Sequence, residues 1–327
     1  MDQRPLGTTG VDVTEVGLGS WKLGGDWGDV TETRAREAIE AALDAGVNFL
    51  DTADVYGDGR SERLISDVLA KRDESPFVAT KAGRQLDPHT TERYTEENLR
   101  RFVDGSRERL GVDSLDLLQL HCPPTDLYYR PAVFEALESF REAGLIDHYG
   151  VSVERVEEAL KAIEYPGVET VQIIFNPFRQ RPRERFLREA ARQNVGVIAR
   201  VPLASGLLTG SLTADTEFPE NDHRNFNREG AAFDVGETFA GVPFEHGLEA
   251  VDAVAPLVPE GQSMAQFTLR WILDHEAVTT VIPGSASPDH IRENVAAAEL
   301  PRLPADRHVE LREVYDEYVR EHVHQRW

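Results

Sequence analysis

Phe49-Leu50-Asp51-Thr52-Ala53-Asp54-Val55-Tyr56-Gly57 is a short apolar run that ends on an acid, with a phenol five residues later in a glycine-punctuated loop. Two later runs close in the same manner. Phe77-Val78-Ala79-Thr80 stops at Lys81, and Leu115-Asp116-Leu117-Leu118-Gln119-Leu120 stops at His121. Read as strands, the three bring Asp51, Tyr56, Lys81 and His121 to their C-terminal ends. In a parallel β/α barrel those ends share one rim, where the active sites of that fold are assembled.

The same alternation runs through most of the chain. Strands are predicted at 16–20, 47–51, 77–81, 114–120, 146–151, 170–174, 196–201 and 279–282. A helix capped by Thr31 and ending at Gly46 follows the first strand. Further helices are predicted at 60–72, 95–110, 131–143, 153–163, 184–194, 263–275 and 288–299. Eight strands, each followed by a helix, is the count that closes a (β/α)8 TIM barrel. Residues 3–15 read as a β-hairpin turning at Thr8-Thr9-Gly10, placed to plug the closed end. Residues 203–245 form a loop after the seventh strand too long for a tight turn, and loops of that length are usually functional or mobile. Extra helices are expected near 246–258 and 305–322. No linker rich in Pro, Gly and Ser divides the chain, so residues 1–327 are expected to form a single domain.

Composition narrows the function. With 40% hydrophobic residues the chain can bury a full core. Its formal net charge of −23 repels phosphate backbones and anionic membranes, so neither nucleic acid nor membrane is expected as a partner. No apolar run can span a bilayer and no basic-then-apolar leader opens the chain, so a soluble, cytoplasmic protein is expected. Cys122 is the only cysteine, which rules out an intramolecular disulfide and argues against a thiolate zinc site. Lysine occurs only at Lys22, Lys71, Lys81 and Lys161. Scarce lysine among abundant carboxylates suggests a halophilic protein kept soluble in a high-salt cytoplasm; an ordinary acidic enzyme with high-GC codon usage is the plainer alternative.

The four strand-end residues suit one chemistry. A free tyrosine has a pKa of about 10 and gives up its proton reluctantly at neutral pH. A neighbouring ammonium favours the phenolate, so Lys81 is expected to lower the pKa of Tyr56 and make it a general acid, with Asp51 holding the lysine. His121 can donate a hydrogen bond to a substrate oxygen. Each residue alone has an ordinary structural reading; together, at matching strand ends, they point to protonation of a carbonyl oxygen. Trp21 and Trp27 can join Tyr56 and His121 in walling a substrate pocket, with residues 205–245 and the C-terminal tail as lids. His322-x-His324 lacks further ligands, so no metal site is expected. Cys122 beside His121 reads as an inert packed thiol.

The chain resembles the aldo-keto reductases over essentially its whole length. The resemblance is carried by Leu6-Gly7-Thr8-Thr9-Gly10, Gly17-Leu18-Gly19-Ser20-Trp21, Asp51-Thr52-Ala53-x-x-Tyr56-Gly57 and Ser61-Glu62. Thr80-Lys81, Leu120-His121, Gly150-Val151-Ser152 and Pro202-Leu203-Ala204-x-Gly206-Leu207-Leu208-Thr209-Gly210 also carry it, with Ile282-Pro283-Gly284 and Glu293-Asn294. It implies a catalytic tetrad of Asp51, Tyr56, Lys81 and His121, and a nicotinamide dinucleotide as hydride carrier. It also implies cofactor contacts at Gly19, Ser20, Trp21, Pro202, Leu203, Ser205, Gly206, Leu208, Gly210, Ser285, His290, Glu293 and Asn294.

Several cofactor positions also have a physical reading. Gly17-x-Gly19 lacks the third, helix-opening glycine of a Rossmann fingerprint. Ser152 and Gln172 end strands five and six, where they can hydrogen-bond a carboxamide; polar strand termination is the plainer reading of either, and Asn176 is a weaker candidate. Arg200, ending strand seven, can stack on a ring, pair with a phosphate, or salt-bridge a rim acid. Ser287-Pro288-Asp289 starts a helix whose N-terminus attracts phosphate. Two departures stand out: Val153 replaces a frequent asparagine, and the last loop offers Gly284, Ala286 and His290 with only Arg292 nearby to face a 2′-phosphate. NAD use, or dual NAD and NADP use, is therefore expected. The expected activity interconverts an aldehyde or ketone, sugars included, with its alcohol. The alternatives are a cofactor-sensing regulatory subunit of the same fold, and an unrelated barrel hydrolase or isomerase, which would need two carboxylates or a metal at the rim.

Overall fold

A computed structural model describes residues 1–327. Strands β1 (Gln3–Pro5) and β2 (Asp12–Thr14) pair antiparallel as the predicted hairpin. Eight parallel strands follow. They are β3 (Leu18–Gly19), β4 (Phe49–Asp51), β5 (Phe77–Ala82), β6 (Leu115–His121), β7 (Ile146–Ser152), β8 (Thr170–Ile174), β9 (Gly196–Arg200) and β10 (Thr280–Val281). Each pairs with its sequence neighbour, and a parallel bridge between Val16 and Val281 joins the two ends of the sheet. The architecture is the (β/α)8 fold, with helices between successive strands.

The period-two geometry of a strand explains where the polar residues end up. On β6, Leu118 and Leu120 face the helices, whereas Leu117 belongs to an inner apolar layer with Phe49, Ala79, Ile198 and Ile282. Two residues further along each strand, the same inward face carries Gln119, Asp51, Lys81 and Arg200. The barrel interior is thus apolar at its base and polar at its rim. Leu6 and Val13 of the hairpin close that base and are fully buried. Their burial together stabilises the fold by about 3–6 kcal/mol.

The helices form where amphipathic spacing and caps predict. In Glu32–Asp44, the Thr31 hydroxyl accepts from the Arg34 amide at 3.3 Å, and Ala38, Ile39, Ala42 and Leu43 are buried. Some boundaries differ. β3 and β10 are shorter than the strands predicted there. The backbones approach closely at this seam: a Cβ on Gly19 would stand 2.7 Å from the Ile282 carbonyl oxygen. The helix predicted at 288–299 stops at Ala296 and tightens into a 3-10 turn through Glu299. The last helix is broken by a π turn at Tyr315–Val319. No helix is long and apolar enough to cross a membrane.

The segment from 203 to 245 is a chain of short turns. It includes a 3-10 run at Ala204–Thr209, a helical turn at His223–Phe226, and 3-10 turns at Val235–Glu237 and Phe239–Gly241. It is tied to the loop after β3 by a bridge between Trp27 and Asp222 and by the His223 amide donating to the Asp26 carbonyl at 2.8 Å. The tail fastens it from the other side. Trp327 is buried and donates its indole N–H to Asp234 Oδ1 at 2.8 Å, and its ring lies over Gly236 and Gly241, where a Cβ would approach within 2.8 Å and 2.7 Å.

Candidate active site

Strand register sets the four strand-end side chains around one point. Lys81 is completely buried, and its ammonium donates to Asp51 Oδ1 at 2.5 Å, to the Thr52 carbonyl at 2.8 Å and to Tyr56 Oη at 3.4 Å. The second Asp51 oxygen accepts from Gln172 Nε2 at 2.7 Å and Gln119 Nε2 at 3.3 Å. Tyr56 rides the loop after β4, seated so tightly that a Cβ on Gly24 would stand 2.6 Å from its own Cβ. The His121 ring meets Tyr56 edge-on with centroids 5.9 Å apart, and Trp21 stacks on its other side at 6.2 Å.

The electrostatics differ from expectation in one respect. Lys81 was expected to depress the pKa of Tyr56; instead the phenol is pushed well above its ordinary value. Enclosure in the protein comes first among the causes, followed by the Asp51 and Glu237 carboxylates. The ammonium is largely spent on Asp51, and burial lowers its own pKa. Tyr56 therefore rests as a neutral, proton-bearing phenol, and Lys81 can act on it only as negative charge develops.

His121 is held neutral. Burial, then Arg84 and Lys81, keep its imidazole well below the usual range. Arg84 Nη1 lies 3.3 Å from His121 Nε2. A guanidinium can only donate, so Nε2 accepts and the proton sits on Nδ1, which is buried without a partner. The donation from His121 to a substrate oxygen expected from sequence is thus not the arrangement found: the N–H beside Nε2 belongs to Arg84. Arg84 also donates to Glu237 Oε1 at 2.9 Å, and Arg200 Nη1 approaches the same oxygen at 3.5 Å. Burial works to raise the Glu237 pKa, but the two guanidiniums hold it below the usual range.

A cavity of about 410 Å³ opens above these residues. Asp51, Tyr56 and His121 line its floor, with Trp21 and Trp27 on one wall. From there it passes Gly19, Ser152, Gln172, Arg200, Pro202, Leu203, Ser205 and Gly206, and ends among Ser285, His290, Glu293 and Asn294. Three expected cofactor contacts fall outside it. Ser20 Oγ instead donates inward to the Asp51 carbonyl at 2.7 Å and accepts from Ser61 Oγ at 2.6 Å. Leu208 is wholly buried in the core. Gly210 ends the 3-10 run in a left-handed conformation against Met264, leaving Thr209 and Ser211 to line the cavity. Asn176 caps its own loop, donating to the Val201 carbonyl and accepting from the Phe178 amide, each at 2.8 Å.

The remaining residues fit a nicotinamide dinucleotide. Gln172 Nε2 is occupied by Asp51, which leaves its carbonyl as an acceptor for a carboxamide, and Ser152 Oγ has only the weak Cys122 contact at 3.7 Å. At the far end, the helix Pro288–Ala296 begins after Ser287 without a side-chain cap, so its first amides remain available to phosphate. Arg84, Glu237 and Lys22 are not marked by the sequence, whereas Arg224, in the charged Asp222-His223-Arg224-Asn225 stretch that could bind polar groups or the cofactor, does line the cavity. Arg84 was within reach, three residues past Lys81, whereas nothing local marks Glu237 in its charged loop. Cys122, Glu154 and Glu237 offer ligand atoms within 4.8 Å of one another. Two guanidiniums already occupy Glu237, and burial pushes the Cys122 thiol up to about 12 and the Glu154 carboxyl up to about 8, so the trio offers a cation a single, already paired negative charge.

Asp54, inside the central motif, is buried with neither carboxylate oxygen hydrogen-bonded, and burial, helped by Glu62, raises its pKa to about 7. The folded state holds a proton here that an unfolded chain releases above a pH of about 4. Stability is therefore expected to fall as pH rises from about 4 to about 7, and to level off beyond. Asp54→Asn should flatten that part of the profile of melting temperature against pH; an unchanged slope would rule Asp54 out as its source.

The fold and this rim of proton-handling residues define a barrel oxidoreductase. Residues 15–316 match the model of the aldo/keto reductase family, and the chain belongs to that family as an NAD(P)H-dependent reductase. Among relatives, it is 30% identical over 308 residues to the uncharacterized oxidoreductase YqkF of Bacillus subtilis, covering 93% of each chain. It is 28% identical to the NADH-specific methylglyoxal reductase of Escherichia coli, covering 94% and 96%. Plant proteins named as probable voltage-gated potassium channel β subunits also match. Among solved structures, the glycerol dehydrogenase AKR11B4 of Gluconobacter oxydans superposes with a TM-score of 0.77 at 27% identity, over 99% of this chain and 96% of that one.

Proposed function

We propose that the chain, acting as one catalytic domain in the cytoplasm, reduces small aldehydes or ketones with Tyr56 as proton donor. The observation that carries this reading is the contact of Lys81 Nζ with both Tyr56 Oη and Asp51 at the floor of the cavity. A bound nicotinamide dinucleotide supplies the hydride. The neutral Tyr56 phenol holds the proton that the carbonyl oxygen takes up. As the phenol becomes phenolate, the Lys81 ammonium at 3.4 Å stabilises it, and Asp51 keeps that ammonium in place. Trp21 and Trp27 shield the site from water. A panel of sugars and small aldehydes assayed with NADH and NADPH, at low and at molar salt, tests the reading. The acidic composition favours the high-salt arm.

The cofactor end supports NAD use. Arg292, the one cation there noted from sequence, is mostly exposed and already paired with Asp289 at 2.8 Å, whereas the Glu293 carboxylate lines the cavity. A 2′-phosphate would meet a like charge with little to offset it. NADH is expected to give a kcat/KM at least equal to that with NADPH; a tenfold preference for NADPH would contradict this. The similarity to channel β subunits supports a second reading, a nucleotide-sensing subunit with little turnover. Steady turnover on any member of the panel excludes it.

A further inference from the structure

Glu237 enters the cavity from the long loop, beside Tyr56 and His121, and its two oxygens are used unequally. Arg84, Arg200 and the Cys122 thiol all approach Oε1, at 2.9, 3.5 and 3.8 Å. Oε2 takes no hydrogen bond from the protein, although the residue lines the cavity. The ionised carboxylate is thus gripped on one side and open on the other. It is also rigidly placed. The Glu237 amide donates to the Asp234 carbonyl at 3.1 Å, and Asp234 Oδ1 accepts from the Gly236 amide at 2.7 Å and from the Trp327 indole at 2.8 Å. Ser205 Oγ donates to the Glu237 carbonyl at 3.1 Å.

A buried carboxylate held between two guanidiniums is costly to desolvate and adds little net stability. Its arrangement suits recognition better. Because Arg84 contacts both His121 Nε2 and Glu237 Oε1, Glu237 lies one side chain from the point where the reacting oxygen meets the tetrad. An acceptor there pairs with a hydroxyl on a carbon close to the carbonyl. A substrate carboxylate would be repelled by Glu237, and a plain alkyl group would strip water from Oε2 and give nothing back.

We propose that Glu237 is a specificity-determining residue whose free oxygen accepts a hydrogen bond from a substrate hydroxyl next to the carbonyl, making hydroxylated aldehydes or ketones the preferred class. Arg84 and Arg200 position it, and the Asp234–Trp327 contact fixes the segment that carries it. The inference rests on the reading of the site as a carbonyl reductase, so the test has two arms. In the first, kcat/KM is measured for glyceraldehyde and for propanal, which differ only in hydroxyls, in wild type, Glu237→Gln and Glu237→Asp. Wild type is expected to favour glyceraldehyde by about tenfold or more. Both variants are expected to bring the ratio to within about threefold of unity, whatever the change in absolute rates. Glu237→Asp keeps the charge between the guanidiniums and withdraws the oxygen, so it remains informative where Glu237→Gln folds poorly. In the second arm, binding of glycerol and of 1-propanol in the presence of the dinucleotide is followed by the fluorescence of Trp21 and Trp27. A Glu237-dependent preference for glycerol without turnover of either aldehyde supports the site while refuting the reductase reading. Turnover with no wild-type preference in either arm, or with a preference untouched in both variants, overturns the role of Glu237 and leaves the reductase reading standing.

Discussion

Tyr56→Phe is expected to lower kcat by about 10²–10⁴-fold, the usual worth of a positioned general acid. Dinucleotide affinity should be retained. The substitution removes one oxygen and nothing else, because the ring stays stacked on Trp21 and edge-on to His121. What disappears is the proton and the 3.4 Å contact with Lys81. Since the loss falls on the transition state rather than on ground-state binding, kcat and kcat/KM should drop together. Fluorescence titration with NADH separates this from misfolding. A variant that binds nucleotide normally and turns over at the wild-type rate would show that another group gives the proton. His121 is a poor second choice because it is held neutral, and its only proton sits on a buried nitrogen.

Lys81→Met is expected to damage stability and turnover together. Asp51 would remain in the barrel interior with its Gln172 and Gln119 bonds but without a counter-charge. Breaking one side of a buried pair costs about 3–5 kcal/mol. The midpoint of urea unfolding should fall accordingly at an unchanged m-value. Adding Asp51→Asn removes the stranded charge, so the double variant should regain much of the stability. Turnover should not return, because nothing then stabilises the developing phenolate. Stability regained without any return of rate is the signature of a pair that supports catalysis at its own expense. If the single variant melts like the wild type, the pair is not the buried unit described here.

The residues that were legible from sequence share one property. Asp51, Lys81, His121, Ser152, Gln172 and Arg200 all lie at or near the C-terminal ends of inward-facing strand positions, where alternation of side chains announces them. Motif membership was a weaker guide. Ser20 and Leu208 stand in stretches resembling a cofactor-binding pattern, yet one hydroxyl turns into the barrel wall and one side chain enters the core. Glu237 could not be found this way. It lies in a charged loop with no periodicity, and its importance comes from the two arginines it meets at Oε1.

The chain's own order of residues determined the barrel, the family and the rim on which the chemistry gathers, because strand period and βα alternation are local properties that any tertiary arrangement must respect. Only the folded arrangement decided how charge is shared. It buried Tyr56 beside the Asp51 and Glu237 carboxylates, so that the phenol keeps its proton, and committed Lys81 to Asp51; it set Arg84 against His121; and it carried Glu237 from a distant loop into the cavity. Those outcomes depend on distances and burial between segments far apart in the chain, which no local pattern encodes.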